Sequence, residues 1–472
     1  MQDIIITLAE AFRAQHKQLY IVGGTVRDVL LHRAQSNDAD MATDAKPDEI
    51  KQIVAPTHPS AIVLVGERFG TVRLHYANDI IEITTFRNEV YNPESRKPEV
   101  CFGTELEEDL LRRDFTINAM ALHPLTGEIY DPFGGRQDLE AHILRAVGNE
   151  PDKRFDEDPL RLMRAVRFAA QLDFTIEPET RRSIIRQASK LQKISKERIR
   201  DEMNKLLLSA HPAKGLDLLV ELRLMEWIIP EVLALRGVSQ QPQRTIQTKD
   251  VYAHVLRVVE RSSPQLVCRW SALLHDIAKP RTRTVEDGKV HFFGHEDIGA
   301  YMARDILKRL HFDRDFIESV SKIVRLHMRA NAYTPEWTDG AVRRLMLDAG
   351  DDLPGLLDLS RADITSYRAD KVSRAAARVT ELAERIQRLK EEAERVPLKS
   401  PLDGNELMAM FDRGPGPWLR PIKEHLLGLV IDGLLAPDDK EEAAKIARML
   451  IEQEDSAGGR ETRGTNMKET SR

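Results

Sequence analysis

The sequence predicts an α+β fold, with a small mixed sheet and helices in residues 1–145 followed by a helical remainder. Short runs rich in β-branched and aromatic residues, bounded by Gly, Asn and Asp, predict strands in the first part. These runs are LYIVGG, AIVLVG, GTVRLHY and DIIEITTF. From residue 151 onwards, apolar residues recur at the spacing of amphipathic helices, as in DPLRLMRAVRFAAQLDF.

The length and a few polar segments predict several domains. A chain of 472 residues exceeds what one ordinary core accommodates. The polar run GVSQQPQRTIQTKD indicates a connector, the charged stretch 370–396 a long helix, and the polar end of the chain a disordered tail. The predicted divisions are a head (1–145), a helical neck (146–236), a second helical domain (250–369), a helical C-terminal domain (370–452) and the tail (453–472).

Composition narrows the class of protein. The formal net charge is −6, which is compatible with a nucleic-acid partner because such binding depends on local basic patches. Cys101 and Cys268 form no CxxC pair, which favours a reducing cytoplasm. No apolar run approaches about eighteen residues, so we expect no transmembrane helix and no membrane partner.

Two carboxylates follow a diglycine turn near the N-terminus. Gly23 and Gly24 separate the strand LYIV from the helical pattern TVRDVLLH, and such a turn suits the close approach of a phosphate. Arg27 can then pair with a triphosphate. Asp38 and Asp40 are two residues apart in an extended segment, so they point to one face and can share a metal ion. The alternative is an acidic surface turn.

A third carboxylate interrupts the apolar face of the predicted strand DIIEITTFR. Glu82 can be a further metal ligand from a neighbouring strand, or an edge-strand glutamate that faces water. Oxygen ligands without nearby His or Cys favour Mg²⁺. Two magnesium ions between three carboxylates and a triphosphate suit in-line phosphoryl transfer, in which Asp38, Asp40 and Glu82 would be the catalytic residues.

Several motifs point to a known family. GGTVRDVLL followed by Asp38-x-Asp40 resembles the head of class II tRNA nucleotidyltransferases and bacterial poly(A) polymerases, within the DNA polymerase β-like nucleotidyltransferase superfamily. The further motifs, in family order, are RRDFTINAMA, DPFGGRQDLEAHILRAVG, EDPLRLMRAVRF and SKERIRDEMNKLL. The resemblance is dense over residues 15–210 and implies a polymerase β-like head that uses Mg²⁺.

The resemblance also implies nucleotide-binding roles. Arg112 and Arg113, expected where a strand starts, would reach triphosphate oxygens; the alternative is a salt-bridged surface pair. Arg164 and Arg167 resemble further nucleotide-contacting arginines of the family.

Base selection is implied for a second pair of residues. Asp158 and Arg161 are predicted to lie one turn apart on one helix. Asp158 would accept from a base amino group and Arg161 would donate to a ring nitrogen, a pattern that cytosine and adenine share. The alternative is an ion pair between the two side chains.

Two other segments bear on the product. The polar segment 87–110 corresponds to a flexible loop that tRNA nucleotidyltransferases use in switching from C to A addition, and enzymes that add only CC tend to have it shortened. Here it is nearly full length, which favours complete CCA addition. The stretch LVGERFGTVRL also resembles the tRNA enzymes more than bacterial poly(A) polymerases.

A second set of metal-ligand residues lies further along the chain. YAHVL and LLHDIAKP resemble an HD domain, a helical metal-dependent phosphohydrolase module. The expected ligand set is His254, His275, Asp276 and Asp363. His295 and His327 occur between these residues. Histidine with carboxylate suits Mn²⁺, Ni²⁺, Fe²⁺ or Mg²⁺. The domain can be a hydrolase or a scaffold.

The combined interpretation is a cytoplasmic tRNA nucleotidyltransferase that adds CCA to tRNA 3′ ends from CTP and ATP. Basic residues after the head are predicted to hold the phosphates of the tRNA acceptor arm. They are Arg181, Arg182, Arg186, Lys190, Lys193, Lys196, Arg198 and Arg200. Open alternatives are a poly(A) polymerase, an enzyme that adds only A or only CC, an HD phosphohydrolase with an RNA-binding head, and an RNA-binding module. The oligomeric state stays open.

Overall fold

The chain divides into two units in the computed structural model. The first unit comprises Met1–Glu260, Pro264–Leu266 and Asp305–Asp313, and the second Arg261–Ser263, Val267–Arg304 and Arg314–Arg472. The structure describes residues 1–33, 37–65, 70–90, 99–103, 105–239, 250–365, 369–395 and 398–461. Part of LVGERFGTVRL and most of the connector 237–250 lie outside these residues.

A seven-stranded mixed sheet forms the head. The strands of the chain are β1 (Leu19–Val22), β2 (Asp38–Thr43), β3 (Ala61–Val65), β4 (Thr71–Tyr76), β5 (Asp79–Thr85), β6 (Arg87–Val90), β7 (Glu99–Phe102), β8 (Ala121–Leu122), β9 (Ile129–Tyr130), β10 (Ile143–Leu144), β11 (Thr175–Ile176), β12 (Thr284–Glu286) and β13 (Lys289–His291). The order in the head sheet is β3-β4-β5-β2-β1-β8-β9, with β2 and β5 parallel and the other pairs antiparallel. The predicted α+β fold with a mixed sheet is confirmed.

Helices make up most of the remainder. They are α1 (Gln2–Ala14), α2 (Gly24–Leu30), α3 (Pro47–Val54), α4 (Leu106–Leu111), α5 (Gly135–Glu140), α6 (Pro151–Glu157), α7 (Arg161–Leu172), α8 (Pro178–Gln187), α9 (Lys196–Leu207), α10 (Pro212–Glu221), α11 (Met225–Ile228), α12 (Val251–Arg261), α13 (Leu266–Leu274), α14 (Lys279–Thr282), α15 (His295–Arg309), α16 (Arg314–Asn331), α17 (Asp339–Ala349), α18 (Leu353–Ala362), α19 (Ala369–Arg395), α20 (Gly404–Phe411), α21 (Leu419–Ile431) and α22 (Lys440–Glu461). Among the described residues, every helix is too short or too polar to span a bilayer.

The alternation of β2 sets the face of the sheet that carries carboxylates. Ala39 and Met41 are buried, whereas Asp38 and Asp40 between them are exposed. Apolar side chains of β2 therefore pack into the core, and the two carboxylates emerge together on the other face. This agrees with the same-face prediction.

Three local predictions are wrong. Asp158 and Arg161 do not share a helix: α6 ends at Glu157, Asp158 is extended (φ −143°, ψ 99°), and α7 starts at Arg161. The physical reason is Pro159, because a residue before proline is pushed out of the helical region. Arg112 and Arg113 precede only an isolated bridge between Phe115 and Ala146 rather than a strand.

The third correction concerns the predicted tail. α22 continues to Glu461, so residues 453–461 are helical rather than disordered. Ala443, Ala447 and Ile451 on one side of this helix are buried in the core. Because this packing already stabilises the helix, the polar residues 453–461 can add further helical turns to it. Residues 462–472 lie outside the described residues.

The segment 87–110 is partly regular. β6 and β7 pair as an antiparallel hairpin, and α4 follows. Residues 91–98 and 104 lie outside the described residues. The ends of the predicted flexible loop are therefore a hairpin and a helix, while its link to C and A addition stays a prediction.

Candidate active site and metal cluster

The parallel pairing of β2 and β5 brings the three predicted catalytic carboxylates together. Asp40 lies opposite Glu82, and Asp38 lies opposite Ile80. Asp40 keeps an exposed surface, yet its pKa is raised above the ordinary value. Desolvation is the main cause, Glu82 and Asp38 add to it, and the nearby Arg113 acts in the opposite direction. Such mutual repulsion is what a bound cation relieves.

Glu82 is held by an arginine on the neighbouring strand β4. It lies opposite Arg73 on β4, whose Nε and Nη2 atoms are 2.8 and 2.6 Å from Glu82 Oε1. β5 is flanked by β4 and β2, so the edge-strand alternative for Glu82 is wrong. Arg73 orients the carboxylate, a contact that the sequence analysis missed.

The diglycine turn leaves room for a guanidinium group. Gly23 has a φ of +71°, and a Cβ atom at this position would lie 2.7 Å from Nη1 of Arg113 and 3.9 Å from Oδ2 of Asp40. A side chain here would therefore displace Arg113 from its place beside the carboxylate. Glycine is required both by the backbone conformation and by this close approach.

One cavity of about 460 Å³ collects the predicted nucleotide-binding residues. All nine line it: Gly23, Gly24, Arg27, Arg112, Arg113, Asp158, Arg161, Arg164 and Arg167. Asp40 also lines it, which joins the cavity to the carboxylate face. Residues without a predicted nucleotide contact complete the wall: Asp114, Asn118, Leu160, Phe168 and Arg198.

The floor of this cavity is a buried polar network. Arg27 donates to Asn118 Oδ1 (2.8 Å) and to Asp28 (2.9 Å), and Asn118 donates to Asp114 Oδ1 (3.0 Å). Arg164 donates to Asp114 Oδ2 from two nitrogens, at 2.8 and 2.5 Å. Burial alone would raise the pKa of Asp114, but Arg164 and Asn118 hold it at about 2.

Aromatic and ionic contacts fix the remaining arginine of α7. The Arg167 guanidinium lies 4.0 Å from the ring centre of Phe168 and donates to Glu202 (2.6 Å). Burial lowers the pKa of Arg167, and Glu202 opposes this shift. Phe168 also has Arg27 and Arg164 near its ring, so three guanidinium groups surround one aromatic side chain.

The two arginines of the RRD motif differ in their surroundings. Both contact the buried Asp109, Arg112 at 2.6 Å and Arg113 at 3.2 Å. Burial would raise the pKa of Asp109, but Arg113 and Arg112 lower it below its ordinary value. Arg113 also approaches Gly23 and Asp40. We therefore distinguish Arg113, which faces the carboxylates, from Arg112, which supports the wall.

The proposed base-reading residues have partners other than each other. Asp158 Oδ1 accepts from the backbone N–H of Leu160 (3.1 Å), and Oδ2 accepts from Arg198 (2.8 Å). Arg161 donates to Glu157 (2.7 Å) and to the carbonyl of Arg112 (2.5 Å). These contacts fix both side chains at the cavity wall, in an arrangement different from the ion pair considered for them.

Most of the basic residues expected at the tRNA acceptor arm are already paired with carboxylates. Six of the eight form ion pairs: Arg181, Arg182, Arg186, Lys190, Arg198 and Arg200. Paired basic side chains attract phosphates less strongly than unpaired ones. Their role in tRNA binding stays a prediction.

A cluster in the second unit contains three of the four predicted HD ligands; His275 and Asp276 are buried and Asp363 is half-buried. His275 and Asp276 follow α13, and Asp363 follows α18. His275 Nε2 is 3.2 Å from Asp276 Oδ2 and 3.9 Å from Asp363 Oδ1. The fourth predicted ligand, His254, is buried on α12 in the first unit.

Two further histidines lie beside Asp276. Ligand atoms of Asp276, His295 and His327 all lie within 4.8 Å of one another, and all three residues are buried. Burial lowers the pKa of His295, against the attraction of Asp276, and burial with the neighbouring His275 lowers the pKa of His327 to about 4. Both rings are therefore neutral at pH 7, as metal binding requires.

Comparison with protein-family models accounts for three parts of the chain. The Poly A polymerase head domain matches residues 19–145, the probable RNA and SrmB-binding site of polymerase A matches 173–235, and the HD domain matches 251–368. These matches agree with the resemblance of the chain to class II tRNA nucleotidyltransferases and bacterial poly(A) polymerases, and with the expected HD domain.

Curated relatives of this family match part of the chain. The CCA-adding enzyme of Lactobacillus johnsonii is 47% identical over 221 residues, which are 47% of this chain and 52% of the relative. The CCA-adding enzyme of Bacillus subtilis is 43% identical over 210 residues, 44% of this chain and 51% of the relative. The chain thus spans about half the length of the curated relatives it matches.

Solved structures of the family match nearly the whole chain. The crystal structure of the Bacillus stearothermophilus CCA-adding enzyme in complex with CTP has a TM-score of 0.67 and 26% identity, over 95% of this chain and 97% of that one. The Thermotoga maritima CCA-adding enzyme complexed with tRNA has a TM-score of 0.58 and 19% identity, over 95% of each chain. The latter likeness concerns the fold alone.

Proposed function

We propose that the protein is a template-independent tRNA nucleotidyltransferase that adds CCA to tRNA 3′ ends from CTP and ATP and releases pyrophosphate. One observation carries the proposal: Asp40, which lies opposite Glu82 on the neighbouring strand, lines the cavity that collects all nine predicted nucleotide-binding residues. Relatives named CCA-adding enzymes support the choice of product. Because tRNA and nucleoside triphosphates occur in the cytoplasm, we propose that location for the protein.

The carboxylates fit a magnesium site. They offer oxygen ligands on one face of the sheet, and the raised pKa of Asp40, caused by desolvation and by Glu82 and Asp38, indicates a site that favours a cation. Asp38 and Asp40 would hold the ion, and Glu82, oriented by Arg73, would lie toward the attacking 3′-hydroxyl. Bound magnesium activates a hydroxyl and stabilises the pyrophosphate leaving group.

The arginines provide the remaining charge for the triphosphate. Arg113, beside Gly23 and Asp40, is the guanidinium best positioned to donate to phosphate oxygens. Arg27 and Arg164 are held by Asn118 and Asp114, so their positive charge is fixed below the cavity before a nucleotide binds. Such preorganisation lowers the cost of ordering the site during the reaction.

Base selection is assigned to Asp158 and Arg161. Two oxygens of Asp158 are engaged by Leu160 and Arg198, which leaves further lone pairs to accept from the amino group of cytosine or adenine. Uracil presents a carbonyl at this position, which a carboxylate repels. Arg161, fixed by Glu157, would donate to the ring nitrogen next to the amino group.

The experiment that tests the proposal uses three tRNA transcripts, which end before CCA, after CC and after CCA. Incubation with CTP and ATP followed by product sequencing should give complete CCA ends on the first two and no extension of the third. Long A tails would identify a poly(A) polymerase. Products that stop after CC would identify an enzyme that adds only CC, and extension of only the transcript that ends in CC would identify an enzyme that adds only A.

A second activity is favoured by the buried cluster around Asp276. Histidine and carboxylate ligands in an HD domain suit a divalent metal and hydrolysis of phosphate esters. This activity can accompany nucleotidyl transfer, or it can be the main activity if the head only binds RNA. Pyrophosphate release during nucleotide incorporation distinguishes a working head from an RNA-binding one.

A further inference from the structure

We propose that a cavity between α16, α18 and α19 binds a phosphate monoester, and that Arg378 is the residue that pairs with its phosphate group. The cavity adjoins the cluster of His275, Asp276 and Asp363, so the ester would be the substrate of the hydrolysis proposed for that cluster. The inference rests on this second proposed activity, to which it adds a substrate class and a binding residue.

The cavity has room for a phosphate group with a small organic part. Its volume is about 180 Å³, several times the roughly 30 Å³ that one water molecule occupies in the liquid. Ala330, Ile364, Ala375 and Val379 give it apolar walls, while its other lining residues are polar. Such a mixed lining suits a molecule that has an apolar body and one charged group.

Asp363 connects the cavity to the cluster. Its Oδ1 atom is 3.9 Å from Nε2 of His275, and its Oδ2 atom accepts a hydrogen bond from Nδ2 of Asn331 (2.6 Å). Asp363 and Asn331 both line the cavity, so a molecule that fills it lies against a member of the cluster. The amide of Asn331 offsets part of the negative charge of Asp363 at this wall.

Arg378 supplies the positive charge of the cavity. Glu381, three residues further along α19, is placed to pair with it, but Oε1 of Glu381 accepts from the hydroxyl of Tyr333 instead (3.1 Å). Within the described part of the chain, Arg378 forms no ion pair or hydrogen bond. Arg374 and Arg385 on the same helix both pair with carboxylates. The guanidinium group of Arg378 is therefore available to an anion.

A buried hydroxyl group completes the site. Ser360 is 1% exposed and lines the cavity, and its Oγ atom has no hydrogen-bond partner among the described residues. A buried hydroxyl without a partner is unfavourable, so its presence here indicates a ligand that accepts from it. The planar fork of Arg378 matches two phosphate oxygens, and the hydroxyl of Ser360 can donate to a third.

Protection of Arg378 from an arginine-specific reagent tests the site in the full chain. Phenylglyoxal modifies accessible guanidinium groups, and mass spectrometry quantifies the modified peptides. Saturating phenyl phosphate should slow the modification of Arg378 several-fold relative to potassium chloride of equal ionic strength. Modification of Arg374, which donates to Asp370, should be the same in both solutions. Equal modification of Arg378 in both solutions, complete lack of modification included, would overturn the proposal.

Substitution of Arg378 provides a second measurement. With para-nitrophenyl phosphate as substrate, Arg378→Ala should raise KM roughly ten- to a hundredfold, the effect of losing a charge-assisted hydrogen bond, with little change in kcat. Arg378→Lys should raise KM less, because lysine keeps the charge without the fork. Arg374→Ala is the matched control and should keep the parent KM. Because Arg378 is exposed, these variants should fold normally.

The two measurements separate the binding site from the hydrolytic activity. An unchanged KM in Arg378→Ala would overturn the role given to this residue. A parent chain in which phenyl phosphate protects Arg378, but which hydrolyses no phosphate ester, would contradict the proposed hydrolysis and support the phosphate site.

Discussion

Asp158 and Arg198 form an ion pair across 40 positions of the sequence, with Nη2 of the arginine 2.8 Å from Oδ2 of the carboxylate. Asp158 is extended because it precedes Pro159, and this conformation turns its side chain toward α9 instead of along α7. The proposed base-reading carboxylate is therefore oriented by a residue of another helix.

Replacing Asp158 should relax base selection. Loss of a charge-assisted hydrogen bond costs roughly 1.5–3 kcal/mol. This cost corresponds to a fall of about ten- to a hundredfold in the efficiency with which CTP and ATP are used. Asp158→Ala should also accept UTP more readily, because the oxygen that repels the uracil carbonyl is gone. Competition between UTP and CTP on a tRNA that lacks CCA measures this change.

Arg198→Ala should change selectivity in the same direction but less, because it removes the orienting partner and leaves the carboxylate. Arg223→Ala, which breaks an exposed ion pair with Glu226 elsewhere in the first unit, is the control. Wild-type discrimination by Asp158→Ala would mean that this residue does not read the base.

Gly23→Ala should weaken binding of the triphosphate. The new methyl group would meet Nη1 of Arg113, and the guanidinium would have to leave its position beside Asp40. We expect KM for both CTP and ATP to rise, with base selectivity unchanged, because the displaced charge serves the phosphates common to both. Steady-state kinetics with each nucleotide provides the measurement.

Gly134→Ala separates crowding from backbone strain. Gly134 has a φ of +73°, close to that of Gly23, but no atom lies within 4 Å of its added Cβ. Gly134→Ala should lower stability by about 1–2 kcal/mol, the usual cost of the left-handed conformation. Gly23→Ala should lower stability more, because its ψ of −137° lies outside that conformation, and only Gly23→Ala should raise KM. Equal KM values for the two variants would contradict the role given to Arg113.

The network around Asp114 should make local stability depend on pH. The folded pKa of about 2 lies below the unfolded value of 3.8, so the unfolded state binds more protons in between. The resulting stabilisation, about 2 kcal/mol from the shift, is complete above roughly pH 5 and is lost as the pH falls towards 2. Hydrogen exchange of α7 amides, corrected for intrinsic rates, follows this loss.

Asp114→Asn should remove that dependence. Protection of α7 would be lower at neutral pH and would change little between pH 5 and 2. Asp173→Asn is the matched control, because its ion pair with Lys214 is on the surface and is screened by solvent. A steep acid dependence that persists in Asp114→Asn would assign the effect to another group.

The two sites should be separable by mutation. His275→Ala combined with Asp276→Ala should remove metal-dependent hydrolysis of phosphate esters and spare CCA addition, since these residues belong to the second unit and the nucleotide cavity to the first. Both activities are measured on one preparation. A folded double variant that no longer adds CCA would show that the sites are coupled.

Local patterns were enough to predict the carboxylate face. The two-residue period of a strand places Asp38 and Asp40 on one side, independently of the rest of the chain. Glu82 stands out in the sequence because it is a charged residue within an apolar strand. The break between α6 and α7 also had a local signal, Pro159, which the helical spacing of neighbouring residues outweighed in the prediction.

The contacts between residues far apart in the chain had no local signal in the sequence. Arg198 is an ordinary basic residue of an amphipathic helix, and its pairing with Asp158 depends on how α9 packs near the end of α6. The contact of Asn118 with Arg27 spans 91 positions. His295 and His327 were visible as residues, but only the packing of α15 and α16 brings them to Asp276.

The central claim is that Asp38 and Asp40 support nucleotidyl transfer in the head, and single-turnover incorporation of CTP by Asp40→Ala tests it most directly. Loss of metal-assisted charge stabilisation of several kcal/mol predicts a fall of roughly a thousandfold in rate, with tRNA affinity largely kept. Asp48→Ala, an exposed carboxylate paired with Lys51, should react at the normal rate. Near-normal incorporation by Asp40→Ala would contradict the account.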